Sequence, residues 1–250
     1  MLSVETYPSA AEAARAMGPD ARFLAGGTLV MRDANFALPG LRRIVRTTDL
    51  ALQGIRVESG LLVIGAATSM AEIIAHPDTT VLAPVARAIG GPALRNMASV
   101  GGNLFAAHPY GDFATALLAL DARARMADGA EIALSDLLAR RDTLGGLVTA
   151  VSLARPDAGT FRFRKVARVK PKGVSMMSMA AVLPRPAGRI AGARVAYGAM
   201  APTPIRMPAV EQALEGATLD AAGIARALAV ATQGRPRRDT RRRRAHPGAG

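Results

Sequence analysis

The sequence has 250 residues, half of them hydrophobic, with no cysteine and a formal net charge of +13. A chain of this length can bury at least one substantial core, and the lack of cysteine excludes disulfides, thiolate metal sites, iron–sulfur ligation and a cysteine nucleophile. No apolar run reaches the roughly 18 residues of a membrane span and the N-terminus lacks a signal-peptide layout, so we expect a cytoplasmic protein.

The positive charge is concentrated at the C-terminus, where residues 235–250 contain seven arginines and one aspartate. A block of like charge beside proline and glycine is typical of a disordered tail, and such a tail can bind nucleic acid nonspecifically. The whole chain has only 4% aromatic residues, too few for the base stacking of single-strand binders. We expect a solvated tail without a specific partner, and keep a basic nucleic-acid-binding protein as an alternative.

Capping signals predict a first helix and then a strand and turn. Ser9 and Glu12 form a capping box ahead of apolar residues at helical spacing, and Gly18 supplies a stop. The following segment, RFLAGGTLVMR, indicates a strand that enters a tight turn at Gly26 and Gly27.

Strands are predicted next in LRRIVRTT and LLVIGAAT, and Ser69 with Glu72 begins another helix. Asp112 is predicted to cap the apolar helix DFATALLALDA. The pair Asp128-Gly129 between two short alternating segments predicts a hairpin with a type I′ turn.

The C-terminal part is predicted to contain four strands and then two helices. The strands are GLVTAVSL, FRFRKVARV, VSMMSMAAVL and IAGARVAYGAM, and the helices are PAVEQALEG and AAGIARALAVAT. Strands and helices alternate irregularly, which favours an α+β fold. A domain boundary is expected near 155–172, where proline, glycine and charges cluster.

Two glycine pairs point to a bound anion: AGGT at 25–28 and SVGGN at 99–103. Glycine lets the backbone approach a ligand and direct successive N–H groups at it. Thr28, Ser99 and Asn103 can bond phosphate or ribityl oxygens, and Asp112 suits a sugar hydroxyl. Two interpretations of the glycine pairs stay open: they bind a phosphate-bearing ligand, or they only turn the chain.

Other common sites are not supported by the sequence. There is no G-x-G-x-x-G fingerprint, no P-loop and no G-x-S-x-G elbow. The three histidines, His76, His108 and His246, each precede a proline and lie far apart, which gives no support for a histidine metal cluster. No metal site is therefore predicted.

Three blocks in order, FLAGGTLV, VIGAATSMAEI and LRNMASVGGNLFAAHPYGDFATALLALDA, resemble the FAD-binding (medium) subunit of the molybdenum hydroxylases, the family of xanthine dehydrogenase and carbon monoxide dehydrogenase. The resemblance covers about residues 1–230. It implies a two-lobed FAD-binding domain of the vanillyl-alcohol-oxidase type at 1–165, with subdomains at about 1–55 and 56–165. A smaller α+β domain would follow at 166–234, and then the tail at 235–250.

The resemblance implies that the two glycine segments embrace the FAD pyrophosphate. One side would be lined by Leu24, Ala25, Gly26, Gly27, Thr28, Leu29 and Val30, and the other by Ser99, Val100, Gly101, Gly102, Asn103 and Leu104. Asp112 would bond ribityl or ribose hydroxyls, Val148 would supply an apolar contact, and Lys165 would lie near the isoalloxazine. An exposed strand-face charge is the other interpretation of Lys165.

The implied function is electron transfer. A molybdopterin-binding large subunit would oxidise the substrate, a small subunit with two [2Fe-2S] clusters would relay electrons, and FAD on this chain would pass them to NAD or another acceptor. The absence of cysteine agrees with this division. A flavin-free structural subunit is a further alternative.

Two departures from the family pattern are visible. Gly173 stands where many relatives carry an aspartate, and the chain becomes arginine-rich where relatives continue with another helical stretch. The second departure resembles a truncated or frame-shifted end, which would leave apolar surface uncovered in the C-terminal domain.

Overall fold

The structure, a computed structural model, describes residues 2–107, 110–169 and 173–231. The strands are β1 (Ser3–Tyr7), β2 (Ala21–Phe23), β3 (Arg43–Thr47), β4 (Ile55–Glu58), β5 (Leu61–Gly65), β6 (Arg123–Met126), β7 (Glu131–Ala133), β8 (Val148–Ala154), β9 (Phe161–Ala167), β10 (Ser175–Val182), β11 (Arg194–Gly198) and β12 (Ile205–Arg206). The helices are α1 (Ala10–Ala16), α2 (Val30–Asn35), α3 (Met70–Ala75), α4 (Ala83–Arg87), α5 (Pro92–Met97), α6 (Val100–Leu104), α7 (Asp112–Ala119), α8 (Leu134–Arg140), α9 (Pro208–Leu214) and α10 (Ala221–Ala231).

The N-terminal sheet is parallel and small, with the strand order β1-β3-β2. The predicted helix α1 is confirmed, and its N-cap Ser9 accepts a hydrogen bond from the Glu12 amide at 3.2 Å. Alanines of α1 pack on Val45 of β3 and on Leu52, which gives this lobe its own core. Strand β1 is absent from the sequence analysis because its residues are largely exposed and show no strong apolar pattern.

The second sheet is antiparallel, in the order β4-β5-β8-β6-β7. The predicted β6–β7 hairpin is confirmed, but the prediction of a type I′ turn is wrong. Gly129 has φ +88°, Asp128 does not have positive φ, and the Gly129 amide donates to the Met126 carbonyl at 3.0 Å. A type I′ turn needs positive φ at both central residues, so this loop is a three-residue turn with a glycine bulge.

The third sheet is antiparallel, in the order β12-β11-β10-β9, with α9 and α10 on one face. In β9, Phe161, Phe163 and Lys165 turn towards the protein, and Arg162 and Arg164 are exposed. Strand β9 pairs with β10 from Phe161 to Ala167. Residues 161–165, assigned to the first domain in the sequence analysis, therefore share a sheet with the C-terminal strands.

Helix α7 lies between the second and third sheets, and all its residues are buried. Its leucines and Phe113 join side chains from both sheets in one core, and each fully buried side chain of this size contributes about 1.5–3 kcal/mol. Asp112 does not cap this helix as predicted. The N-cap is Gly111 at φ +116°, and Asp112 is the first helical residue.

The fold is α+β, as predicted, with two N-terminal lobes, each built on its own sheet, followed by a smaller C-terminal part built on the third sheet. Among the described residues no helix is long and apolar enough to cross a bilayer. The basic tail at 235–250 and the histidines His108 and His246 lie outside the described residues.

Candidate functional site

The first glycine pair forms a turn with a run of unpaired amides. Leu24 is the last residue that pairs with the sheet, through its amide and the Val45 carbonyl at 2.7 Å. Gly27 has φ +78°, and its carbonyl accepts from Met31 at the start of α2. Within the described part of the chain, the amides of Gly26 to Leu29 donate no hydrogen bond. Successive N–H groups without acceptors form a concavity suited to a phosphate.

The second glycine pair lies in a short helix and not in an open turn. Ser99 is the N-cap of the short helix α6, and its hydroxyl accepts from the Gly102 amide at 3.1 Å. The amides of Val100 and Gly101 donate to the carbonyls of Thr68 and Ala66 at 2.9 and 2.7 Å. The amides of Val100, Gly101 and Gly102 therefore already have acceptors. Gly102 is exposed, so this segment can contact a ligand through its surface but not through unpaired amides.

The two glycine segments lie against each other. A β-carbon built on Gly26 would lie 1.4 Å from the Met97 carbonyl oxygen, so this turn contacts the chain two residues before Ser99. A β-carbon on Gly101 would lie 3.1 Å from the Ala66 oxygen. The tertiary structure thus joins all three sequence blocks, because Ala66 belongs to the second of them.

Asp112 and Lys165 form a buried ion pair. The Lys165 Nζ lies 2.9 Å from Asp112 Oδ2 and donates to the Ala88 carbonyl at 3.0 Å. The Ser175 hydroxyl donates to both oxygens of Asp112, at 2.7 and 2.9 Å. The side chain of Lys165 is 14% exposed, which rules out the interpretation as an exposed strand-face charge.

Several other predicted residues lie in the core beneath the glycine segments. Val148 is 2% exposed, and Val100 and Leu104 are fully buried. The carbonyl of Thr149, the residue after Val148, accepts from the Ala66 amide at 2.8 Å. Their side chains therefore support the backbone of the site. Thr28, Leu29, Val30 and Asn103 are half-buried, and Ala25 is exposed.

Gly173 has no space for a side chain. Its amide donates to the Val169 carbonyl at 2.7 Å, and a β-carbon would lie 2.3 Å from that oxygen. An aspartate at this position does not fit this backbone without rearrangement.

Sequence reasoning missed residues that support the site through their backbone or through long side chains. Met97 and Ala66 contact the glycines through carbonyl oxygens, which no side-chain pattern reveals. Arg141 is half-buried and bonds the chain after α6. Its neighbour Arg140 is exposed, and nothing in the sequence ARRD distinguishes the two.

The residues fit FAD at the turn of the first glycine pair. Four unpaired amides suit a pyrophosphate, and Gly26 has no β-carbon because the Met97 backbone occupies that space. Two shallow surface grooves lie elsewhere, beside Asp157 and Ala158, and no predicted FAD residue lines either one. Within the described chain, no cluster of acidic or histidine side chains suits a metal ion.

Comparison with known proteins agrees with this arrangement. Residues 1–155 match the family described as FAD binding domain in molybdopterin dehydrogenase, and residues 162–245 match the CO dehydrogenase flavoprotein C-terminal domain.

Relatives and solved structures point to the same family. The chain is 29% identical over 241 residues to the xanthine dehydrogenase FAD-binding subunit of Escherichia coli O157:H7, covering 88% of this chain and 82% of that protein. It is 30% identical over 184 residues to the nicotinate dehydrogenase FAD-subunit of Eubacterium barkeri, covering 67% and 62%. The fold is shared with carbon monoxide dehydrogenase from Hydrogenophaga pseudoflava, with a TM-score of 0.84, 23% identity and coverage of 94% of this chain and 87% of that one. The chain therefore belongs to the family of FAD-binding subunits of the molybdenum hydroxylases, with an FAD-binding domain followed by a CO dehydrogenase flavoprotein C-terminal domain.

Proposed function

We propose that this chain carries FAD as the electron-transfer subunit of a heteromeric molybdenum hydroxylase, where it takes electrons from a partner and passes them to NAD or another acceptor. The observation that carries this proposal is the run of unpaired amides from Gly26 to Leu29 beside the Met97 backbone. FAD, when bound, supplies redox chemistry that links one-electron donors to a two-electron acceptor.

The chain's own residues bind and orient the cofactor in this proposal. The amides of Gly26 to Leu29 bond the pyrophosphate, and Leu24, Ala25 and Val30 flank that turn. Residues 99–104 form the opposite wall, supported by Val148 from below. Asp112 bonds a sugar hydroxyl by exchanging its contact with Ser175, and Lys165 keeps the carboxylate in place.

The partners follow from what this chain lacks. Because the sequence has no cysteine, it cannot ligate an iron–sulfur cluster, so the [2Fe-2S] clusters belong to a small subunit. The molybdopterin and the substrate belong to a large subunit. This chain is then active as an oxidoreductase only in the complex, which we place in the cytoplasm.

We also propose domain limits from the sheets. The first lobe ends near residue 55, where β4 begins the second sheet, and the second lobe ends between β8 and β9. The loop 155–160 then separates the FAD-binding domain from the C-terminal domain.

The test is FAD content after native purification, with the flavin absorbance band compared with the protein concentration. We expect one FAD per chain, and its loss in Gly102→Asp, because the new β-carbon would lie 3.0 Å from the capping hydroxyl of Ser99 and the carboxylate on this exposed wall repels the pyrophosphate. Gly145→Asp adds the same charge where the β-carbon meets open space, and keeps FAD. A folded wild-type chain that cannot be reconstituted with FAD overturns the proposal.

A test of the proposed electron transfer requires the assembled complex. With the molybdenum and iron–sulfur subunits present, substrate bleaches the flavin absorbance, and the isolated chain shows no bleaching. A chain that keeps FAD in the complex while the flavin stays oxidised during turnover contradicts electron transfer but not FAD binding.

A further inference from the structure

Arg141, directly after α8, connects three segments of the chain through its guanidinium. Its Nη1 donates to the carbonyl of Ala106 at 2.7 Å and lies 3.5 Å from that of Leu104. Its Nη2 donates to the carbonyl of Pro202, between β11 and β12, at 3.3 Å. The side chain therefore ties the end of α6 both to α8 and to the C-terminal domain.

One of the carbonyls that Arg141 contacts belongs to Leu104, the last residue of α6, and the carbonyl of Ala106 lies two residues beyond that helix. Helix α6 ends at Leu104, and the last carbonyls of a helix have no intrahelical donor. The planar guanidinium of an arginine can donate hydrogen bonds to acceptors in two directions at once, which the single ammonium of a lysine cannot. Arg141 thus fixes the chain where it leaves α6.

Stability alone does not explain a half-buried arginine with a buried Nε at this place. The side chain is 9% exposed, and its Nε has no hydrogen-bond acceptor among the described residues. The Asp142 carboxylate lies 3.7 Å from Nε, and its side chain is 91% exposed. Burying a charge with an unsatisfied donor is costly, and an apolar side chain avoids that cost. A costly group of this kind is typical of functional sites.

We infer that Arg141 is a positioning residue for the FAD site, which holds α6 in the orientation that FAD binding needs. This inference rests on the proposed function. The glycine wall at Gly101 and Gly102 lies within α6. Loss of the guanidinium removes the contacts that fix the C-terminal end of this helix.

The experiment compares Arg141→Met, Arg141→Lys and the control Arg140→Met. Arg140 is the preceding residue and is exposed, so its replacement removes the same charge without touching the carbonyls. The first measurement is the FAD dissociation constant, at temperatures well below each variant's melting temperature. A merely structural role lowers the melting temperature but leaves this constant unchanged. We expect at least tenfold weaker binding for Arg141→Met, an intermediate loss for Arg141→Lys, and none for Arg140→Met.

The second measurement is chymotrypsin cleavage of the FAD-free chain, which does not depend on the cofactor. Phe105 directly follows α6 and is 43% exposed. We expect faster cleavage there in Arg141→Met, with unchanged cleavage at Phe36, which is 81% exposed and lies in the first lobe.

The possible outcomes separate this inference from the proposed function. Wild-type chain that fails to bind FAD overturns the proposed function. Wild-type binding with an unchanged dissociation constant in Arg141→Met overturns the inference, whatever the cleavage rate. If Arg141→Met does not fold, Arg141→Lys decides, and wild-type affinity in that variant overturns the inference.

Discussion

Gly26 and Met97 are packed backbone to backbone, so that a β-carbon on Gly26 would lie 1.4 Å from the Met97 carbonyl oxygen and 2.5 Å from its carbonyl carbon. The contact joins the turn after β2 to the end of α5. It brings the unpaired amides of the first glycine segment to the wall that begins at Ser99. The geometry of the proposed FAD site depends on this approach.

The first prediction replaces Gly26 with alanine. The methyl group forces the turn away from Met97, which we expect to weaken FAD binding more than tenfold and to lower the free energy of unfolding by about 1–3 kcal/mol. Gly145→Ala is the control, since its β-carbon meets open space, and should change stability by less than about 0.5 kcal/mol. Isothermal titration with FAD and urea denaturation measure the two effects. Full FAD affinity in Gly26→Ala contradicts the proposed role of the contact.

The second prediction compares two serine caps. Ser99 accepts from the Gly102 amide at 3.1 Å, and Ser69 accepts from the Glu72 amide at 3.2 Å. Each serine-to-alanine change should cost about 1 kcal/mol in urea denaturation, because each removes an N-cap. Only Ser99→Ala should also weaken FAD binding, since Ser99 caps the helix that forms the glycine wall. Equal FAD affinities of the two variants count against that assignment.

The third prediction concerns the ion pair between Lys165 and Asp112. Lys165→Met leaves the Asp112 carboxylate buried without its cation, and we expect a loss of about 3–5 kcal/mol in the free energy of unfolding. Adding Asp112→Leu to Lys165→Met should recover part of this loss, because the uncompensated charge is then gone. A double-mutant cycle by urea denaturation measures the coupling. Additive losses indicate that the pair contributes no coupling energy.

The fourth prediction is a loss of stability in acid. The pKa of Glu58 lies below its ordinary value of 4.5, chiefly because the Arg125 guanidinium donates to its carboxylate, at 2.6 Å. The pKa of Glu131 is also lowered, chiefly by a hydrogen bond from the Ser152 hydroxyl. A carboxyl with a lowered pKa in the folded state contributes stability that is fully present above pH 4.5 and is lost as the pH falls through the folded pKa.

The measurement for this prediction is urea denaturation across a pH series. The free energy of unfolding should fall below pH 4.5, and less steeply in Arg125→Met, where the pKa of Glu58 returns towards its ordinary value. Arg162→Met is the control, because this exposed arginine bonds only the Phe161 carbonyl. The same acid slope in all three proteins is evidence against the Arg125 contact. Salt should reduce the effect, since these side chains are partly exposed.

Local patterns predicted many elements well. The helices after Ser9 and Ser69 begin where their caps predict, and the β6–β7 hairpin forms at the Asp128-Gly129 pair. These features depend on hydrogen bonds between residues a few positions apart, so a short stretch of sequence contains the needed information. The wrong local predictions, the type I′ turn and the Asp112 cap, concern residues whose conformation depends on neighbours outside that stretch.

The sequence by itself determined the fold class, the three blocks that resemble the FAD-binding family, and the exclusion of iron–sulfur ligation by the lack of cysteine. Only the tertiary structure decided which glycine segment has free amides, that Gly26 contacts Met97, and that Asp112 bonds Ser175 across 63 positions of the chain. Contacts of this kind form between backbone atoms or between distant residues. Their energy depends on the packing of whole sheets and helices, and side-chain type along the sequence does not reveal them.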